Sequence, residues 1–347
     1  MAARSAAPNR RLRPEINKRP GVFYAFTRDG VELPVVDVTH PAFAISIPES
    51  ELKANVDKFL RDGVPLAKLP KPLREIALRF LLRQSVLAQG IDRARNSFMS
   101  GMQTYLLKLG PEMLGSAYSK EIDRQIASAL PSFCVRLRLQ DMAVLIADTL
   151  TPLLSDDPQR PLRFVDIAGG PAMDSLNALI LINRQRPGIL VKRAIAIDVL
   201  DLDEAGPAFG QSALAALSLS NGPLHDLRIT FRHLPFNWAR TEELAGLMKE
   251  TELENPVTFC SSEGGLFEYG SDEEIVSNLK ALRTQSDLVA VAGSVTRADE
   301  PIQQMRMTTT AKTLPRGLAV FRSLISPTGW TLDRVIEGPF SDQVVLK

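Results

Sequence analysis

The sequence predicts an α/β chain in which a mostly helical region precedes a seven-stranded, mostly parallel sheet that closes with an antiparallel hairpin. Three observations carry this reading. Residues 49–154 hold apolar side chains at three- and four-residue spacing, the period of helices with one buried face. After the polar, proline-bearing segment 155–161, short apolar runs alternate with helical ones, the rhythm of a parallel sheet with crossover helices. The last two runs are separated only by residues 337–341, too few for a parallel crossover, so they pair as a hairpin.

Each element has a local signal. Residues 22–47 are rich in β-branched and aromatic side chains, and Asp29-Gly30 marks a turn, so a hairpin or an extended arm is expected. Helical segments start near Ser50, Pro72, Ile91, Lys120 and Phe133, with Ile76, Phe80 and Leu81 on one face and Val135, Leu137, Met142, Leu145 and Ile146 on another. Pro65, Pro70, Pro111 and Pro131 punctuate them. Beyond residue 155 the expected strands are 163–167, 192–198, 228–233, 257–261, 287–293, 331–336 and 343–346. Ser271 and Glu274 form a capping box ahead of Ile275 and Leu279. The expected organisation is a flexible basic arm over 1–21, a hairpin and helical domain over 22–154, and a sheet domain over 155–347.

Composition narrows the function. A chain of 347 residues has two domains as its prior, and 45% hydrophobic with 23% charged residues suits an ordinary globular protein. A net charge of +1 gives no reason to expect nucleic acid or an acidic membrane as partner. The arm carries Arg4, Arg10, Arg11, Arg13, Lys18 and Arg19 without a following apolar stretch, so it does not read as a secretory signal. Organelle targeting and polyanion binding stay open for it. The longest apolar runs, such as 176–182, are too short to cross a bilayer. Cys134 and Cys260 are isolated, which argues against a zinc site and fits a reducing, cytoplasmic setting. His40, His225 and His233 are the three histidines, and no Ser-His-Asp or Cys-His arrangement can be assembled from them.

The segment FVDIAGGPAMDSL, residues 164–176, carries the strongest chemical signal. A strand ends near Asp166, a small-residue turn follows, and Pro171 is expected at a first helical position. Small residues let backbone amides approach a ligand, and a helix N-terminus favours negative charge. The next strand ends at Asp198, where a carboxylate can accept both hydrogen bonds of a ribose diol; Asp201 and Asp203 are alternatives. After the third strand, Phe236, Asn237 and Trp238 can supply stacking and an amide contact, or fill the core. After the fourth comes EGGLFEYG, beginning at Glu263, which reads as a general base, a ligand contact or a helix cap. The stretch 91–110, with Arg93, Arg95, Asn96, Phe98, Met99, Met102 and Tyr105, is core packing or the lining of an acceptor pocket.

An acidic residue followed by Ala168, Gly170 and Ala172, together with the terminal hairpin, resembles the first motif and sheet ending of the Rossmann-like class I S-adenosylmethionine-dependent methyltransferases. EGGLFEYG is locally similar to the E-G-x-L-x-Y stretch of their leucine carboxyl methyltransferase-like branch. The chain departs from the first motif, since Ala168 and Ala172 stand where outer glycines are usual. The resemblance implies S-adenosylmethionine as cofactor. Asp166 and the turn Ala168, Gly169 and Gly170 would lie along it, Asp198 with Val199 at its ribose, and Phe236, Asn237 and Trp238 at its adenine, with Glu263 catalytic. It implies O- or N-methylation of a small-molecule acceptor; no metal cluster stands out in the sequence, no membrane or nucleic-acid partner is expected from its charge and apolar runs, and homodimerisation is left open. Two rivals stand beside it: a methyltransferase-fold subunit without catalysis, and an NAD-dependent oxidoreductase. The dehydrogenase fingerprint G-x-G-x-x-G/A would place Met173 where a small residue is needed, which weakens the second rival.

Overall fold

The computed structural model describes residues 12–63, 69–94, 97–118, 120–306 and 311–347. Of the residues singled out above, Pro65, Arg95, Asn96 and the arm up to residue 11 lie outside the described residues. Residues 12–21 are mostly exposed, but hydrogen bonds tie them to the hairpin. The Arg13 amide donates to the Gly30 carbonyl at 2.8 Å, and Glu32 accepts from the Glu15 amide and from Lys18 Nζ, both at 2.7 Å. The expected N-terminal hairpin is short: β1 (Tyr24–Phe26) pairs antiparallel with β2 (Glu32–Pro34) across the Asp29-Gly30 turn.

Among the described residues six α-helices follow: α1 (Glu49–Asp62), α2 (Lys71–Gln84), α3 (Val86–Arg93), α4 (Gly101–Leu109), α5 (Glu121–Ser128) and α6 (Leu130–Asp156). The stretch 91–110 is thus two helices rather than one. Ser85 caps α3 by accepting from the Ala88 amide, and Ser100 caps α4 by accepting from that of Gln103. Residues 97–100, outside both helices, bring Phe98 and Met99 to the cavity at the sheet's carboxyl edge.

The C-terminal part alternates as its rhythm predicts. β3 (Leu162–Ile167), α7 (Met173–Gln185), β4 (Ala194–Leu200), α8 (Ala205–Leu217), β5 (Arg228–Leu234), α9 (Thr241–Lys249) and β6 (Val257–Ser262) come first. Then come α10 (Leu266–Tyr269), α11 (Asp272–Arg283), β7 (Leu288–Thr296), α12 (Glu300–Met305), α13 (Gly317–Ile325), β8 (Leu332–Ile336) and β9 (Ser341–Leu346). The capping box at α11 is present in both directions. Pro171, expected to open a helix, lies in the turn instead, and α7 begins at Met173 with Ala172 as its cap. The sheet order is β5-β4-β3-β6-β7-β9-β8, parallel except for β9, which runs antiparallel to both neighbours.

Strand alternation divides the core into two. Leu162, Phe164, Ile195, Ile197 and Val199 join the cluster made with α6, α7 and α8, which also takes in Leu139, Met142 and Ile146 of the helical region. Val165, Ile167 and Leu200 join the cluster on the opposite face, with Leu244, Met248 and Leu279. The helical region therefore shares a continuous core with the sheet. No helix among the described residues is long and apolar enough to cross a membrane.

Candidate active site

In an open α/β sheet, loops leaving the carboxyl ends of strands on either side of the topological switch form a crevice. Here that crevice is a cavity of about 270 Å3. Its walls are Ala168–Pro171 after β3, Asp201–Asp203 after β4, Phe236–Trp238 after β5 and Glu263–Gly265 after β6. Phe98 to Gly101, with Thr104 and Lys108 of α4, close it from the helical side.

The turn after β3 has positive φ at Ala168 (53°), Gly170 (51°) and Ala172 (54°). Glycine occupies only the middle one, where a Cβ would lie 2.9 Å from Gly101 Cα. The absent side chain thus lets α4 close directly onto the turn. Gly170 donates its amide to Asp201 Oδ2 at 2.9 Å, while Asp201 Oδ1 accepts from the Asp203 amide at 2.9 Å. Each oxygen keeps lone pairs beyond these bonds, and the residue lines the cavity. Burial raises its carboxyl above the usual range, and the two backbone amides oppose that rise.

Asp198 and Val199 do not reach the cavity. β4 runs two residues beyond Asp198, to Leu200, so the acid at the strand tip is Asp201. Asp198 is fully buried and accepts from Arg163 Nε (2.7 Å), Arg232 Nε (2.7 Å) and Arg232 Nη2 (2.8 Å). Its carboxylate is buried between two guanidiniums, one of them wholly buried, and is closed off from a ribose in the cavity. Val199 is a core residue on the opposite face.

Asp166 lies behind the turn rather than in the cavity wall. Its Oδ1 is 2.8 Å from Ser175 Oγ and 3.0 Å from Ser261 Oγ, and Ser261 Oγ also lies 2.7 Å from Asp174 Oδ2. A hydroxyl has one proton, so it can donate to only one of the two acids. Burial first, and then the neighbouring Asp174, push the Asp166 carboxyl well up; burial first, and then Glu263, raise that of Asp174. Asp166 Oδ2 is buried without a partner among the described residues.

Glu263 reaches the cavity wall in a setting unsuited to a base. Lys108 Nζ pairs with its Oε2, and Arg138 Nε donates to Oε1 at 2.7 Å. Burial alone would raise this carboxyl, but the two cations outweigh burial and hold it below the usual carboxylate range. Arg138 Nη1 continues to Glu268 at 3.0 Å, completing a buried chain of two cations and two anions. The expected catalytic base is therefore a fixed anion in a neutralised network.

At the mouth, Trp238 packs against Phe98 with ring centroids 5.7 Å apart, and Phe98 against Tyr269 at 6.4 Å. Asn237 Oδ1 accepts from the Ala239 amide, leaving its NH2 as a donor at the cavity wall. Phe236 is buried in the second core cluster with one edge on the cavity. His233 holds the Asp201 carbonyl through Nε2 at 2.8 Å, behind the site.

The strand order with its single antiparallel member is the class I methyltransferase fold. No protein-family model matches the chain, and no curated protein matches it in sequence. Solved structures that it is similar to include LepI in complex with SAM, at 15% identity over 55% of this chain and 43% of that one (TM-score 0.35). Magnesium protoporphyrin IX methyltransferase (ChlM) from Synechocystis PCC 6803 with bound SAH follows at 12% identity, 62% and 86% coverage and TM-score 0.41. The mitomycin 7-O-methyltransferase MmcR is 13% identical, with 86% and 73% coverage and TM-score 0.40. The chain spans less than half the length of LepI.

Proposed function

We propose that this chain is an S-adenosylmethionine-dependent methyltransferase acting on the oxygen or nitrogen of a small molecule. The observation that carries the reading is the cavity at the carboxyl ends of β3, β4, β5 and β6, with an acid on its wall, Asp201, hydrogen-bonded to the small-residue turn. That donor set fits the cofactor. Asp201 presents acceptors for a ribose diol, Asn237 and Trp238 an amide and an aromatic face for adenine, and the Ala168–Gly170 turn permits close backbone approach. Bound S-adenosylmethionine would supply an activated methyl group and its own leaving group.

The protein's share is then alignment and exclusion of water. Phe98, Trp238 and Tyr269 close the mouth, and α4 fixes the turn through Gly101. Glu263, held ionised by Lys108 and Arg138, adds a fixed, charge-balanced polar group to the wall. The two cysteines are free and buried, in keeping with a reducing, cytoplasmic compartment.

Calorimetric titration with S-adenosylmethionine and S-adenosylhomocysteine tests the proposal. Saturable binding with a Kd in the micromolar range is expected, and no heat of binding at high micromolar ligand would end it. A second reading, a binding subunit without catalysis, draws on Ala168 and Ala172 at positive φ and on the neutralised Glu263. Cofactor binding without turnover across a broad acceptor panel would favour that reading.

A further inference from the structure

A second cavity, of about 120 Å3, adjoins the first and shares Met99, Thr104, Gly264 and Tyr269 with it. It lies between α6, α10, β7 and β9, and most of its wall is apolar, including Leu107, Val135, Ile302 and Phe340. Two polar groups on that wall have unspent hydrogen-bonding capacity.

The first is Arg138. Its Nε and Nη1 are engaged by Glu263 and Glu268, which leaves Nη2 outside both ion pairs. A Cβ at residue 264 would come within 2.4 Å of Nη2, so the glycine is what makes room for it between the two cavities. The second is Thr313, 3% exposed, whose Oγ1 is buried without a partner among the described residues. Leaving a buried polar group unpaired is costly, so the open Thr313 hydroxyl, on the same small apolar wall as the Arg138 guanidinium, is matched to a ligand oxygen.

Neutral bases are missing from this wall. Glu268 is paired with Arg138. Burial pushes the Tyr269 hydroxyl up and raises the Cys134 thiol to about 12. No histidine lines the cavity.

We propose that the second cavity receives the ionised oxygen of the acceptor, a carboxylate or an acidic phenolate, and holds it with Arg138 Nη2 and the Thr313 hydroxyl. The inference rests on the methyltransferase reading and narrows its substrate class. An oxygen that is already an anion needs no base. In the transfer, one C–O bond forms and one C–S bond breaks, the electron pair of the broken bond stays on sulfur as a neutral thioether, and no proton moves. The four internal charges of Lys108, Arg138, Glu263 and Glu268 cancel, so the anion meets no net opposing charge.

Calorimetry on the whole chain at pH 8, saturated with S-adenosylhomocysteine, tests this with benzoate, 4-nitrophenolate and the neutral isostere benzamide. At least one anion should bind tenfold or more tightly than benzamide; which anion prevails separates a carboxylate acceptor from a phenolate. Thr313→Val should weaken that anion severalfold, and Arg138→Gln should erase its advantage over benzamide. Should Arg138→Gln fail to fold, Thr313→Val carries the test. Benzamide binding as well as both anions, or anion selectivity unchanged in Thr313→Val, would overturn the inference. Failure of S-adenosylhomocysteine to bind at all would instead strike the cofactor reading, before any acceptor probe is added.

Discussion

Gly170 donates its backbone amide to Asp201 Oδ2 at 2.9 Å, binding the turn after β3 to the tip of β4. This bond holds the Asp201 carboxylate against the turn at the cavity wall. Asp201→Ala should weaken S-adenosylhomocysteine binding by a factor of tens while the melting temperature stays within a few degrees, measured by calorimetry and thermal melting. A variant that binds as tightly as the parent would remove Asp201 from the site.

Asp198 should behave in the opposite way. Removing it leaves Arg163, 1% exposed in its side chain, as a buried cation without its carboxylate. Breaking a buried pair from one side costs about 3–5 kcal/mol. Asp198→Ala is therefore expected to lower the midpoint of urea unfolding strongly and to yield little folded protein. A well-folded Asp198→Ala variant that has lost only cofactor affinity would restore the sequence-level expectation.

The contrast shows what was legible in the sequence. Periods of two and near 3.6 are local, so the strand and helix rhythm, the capping box and the terminal hairpin could all be read from it. Which acid stands at a strand tip depends on where the strand stops. Val199 and Leu200 continue the apolar run past Asp198, a local hint that the acid is internal. Its partners, Arg163 and Arg232, lie 35 and 34 residues away, and nothing nearby announces them. Lys108 and Glu263 meet across 155 residues, so neither the neutralised base nor the Arg138 wall was legible. The break before α4 was signalled by Ser100 and Gly101, a polar cap followed by a glycine, within a stretch read as continuous.

The pH dependence of stability should carry two opposed contributions. Glu263 is held below the usual carboxylate range, so its stabilising effect is present at neutral pH and lost as pH falls through its depressed folded-state value. Asp166 and Asp174 are raised, so they oppose folding once pH exceeds the ordinary carboxylate range and the unfolded acids ionise. Asp174→Asn removes one of the pair while keeping its shape. It should melt a few degrees above the parent at pH 8 and level with it at pH 4. An equal or lower melting temperature at pH 8 would show that neither burial nor its acidic neighbours penalise the Asp174 charge.

The alanines at positive φ offer a test of backbone strain. An L-residue in the left-handed region costs roughly 1–2 kcal/mol, and glycine avoids this. Ala172 is fully buried, and losing its methyl group would cost about 0.8 kcal/mol, which nearly cancels the gain. Ala168 is only half-buried, so Ala168→Gly is the cleaner variant. It should raise stability by about 1 kcal/mol in urea unfolding, and a loss of stability would contradict the strain assigned to this turn.

Trp238 and Trp330 are the two tryptophans, and they sit in different surroundings. Trp330 is buried, donates Nε1–H to the Leu279 carbonyl at 2.9 Å, and lies under Arg283 on the far side of α11. Trp238 lines the first cavity against Phe98. An adenine entering beside Trp238 would change its contacts and solvent exposure without touching Trp330. Addition of S-adenosylhomocysteine should therefore alter tryptophan emission in the parent and in Trp330→Phe, and leave Trp238→Phe silent even where calorimetry still shows binding. If the response instead follows Trp330, the ligand occupies another part of the fold, and the assignment of Asn237 and Trp238 to the adenine falls with it.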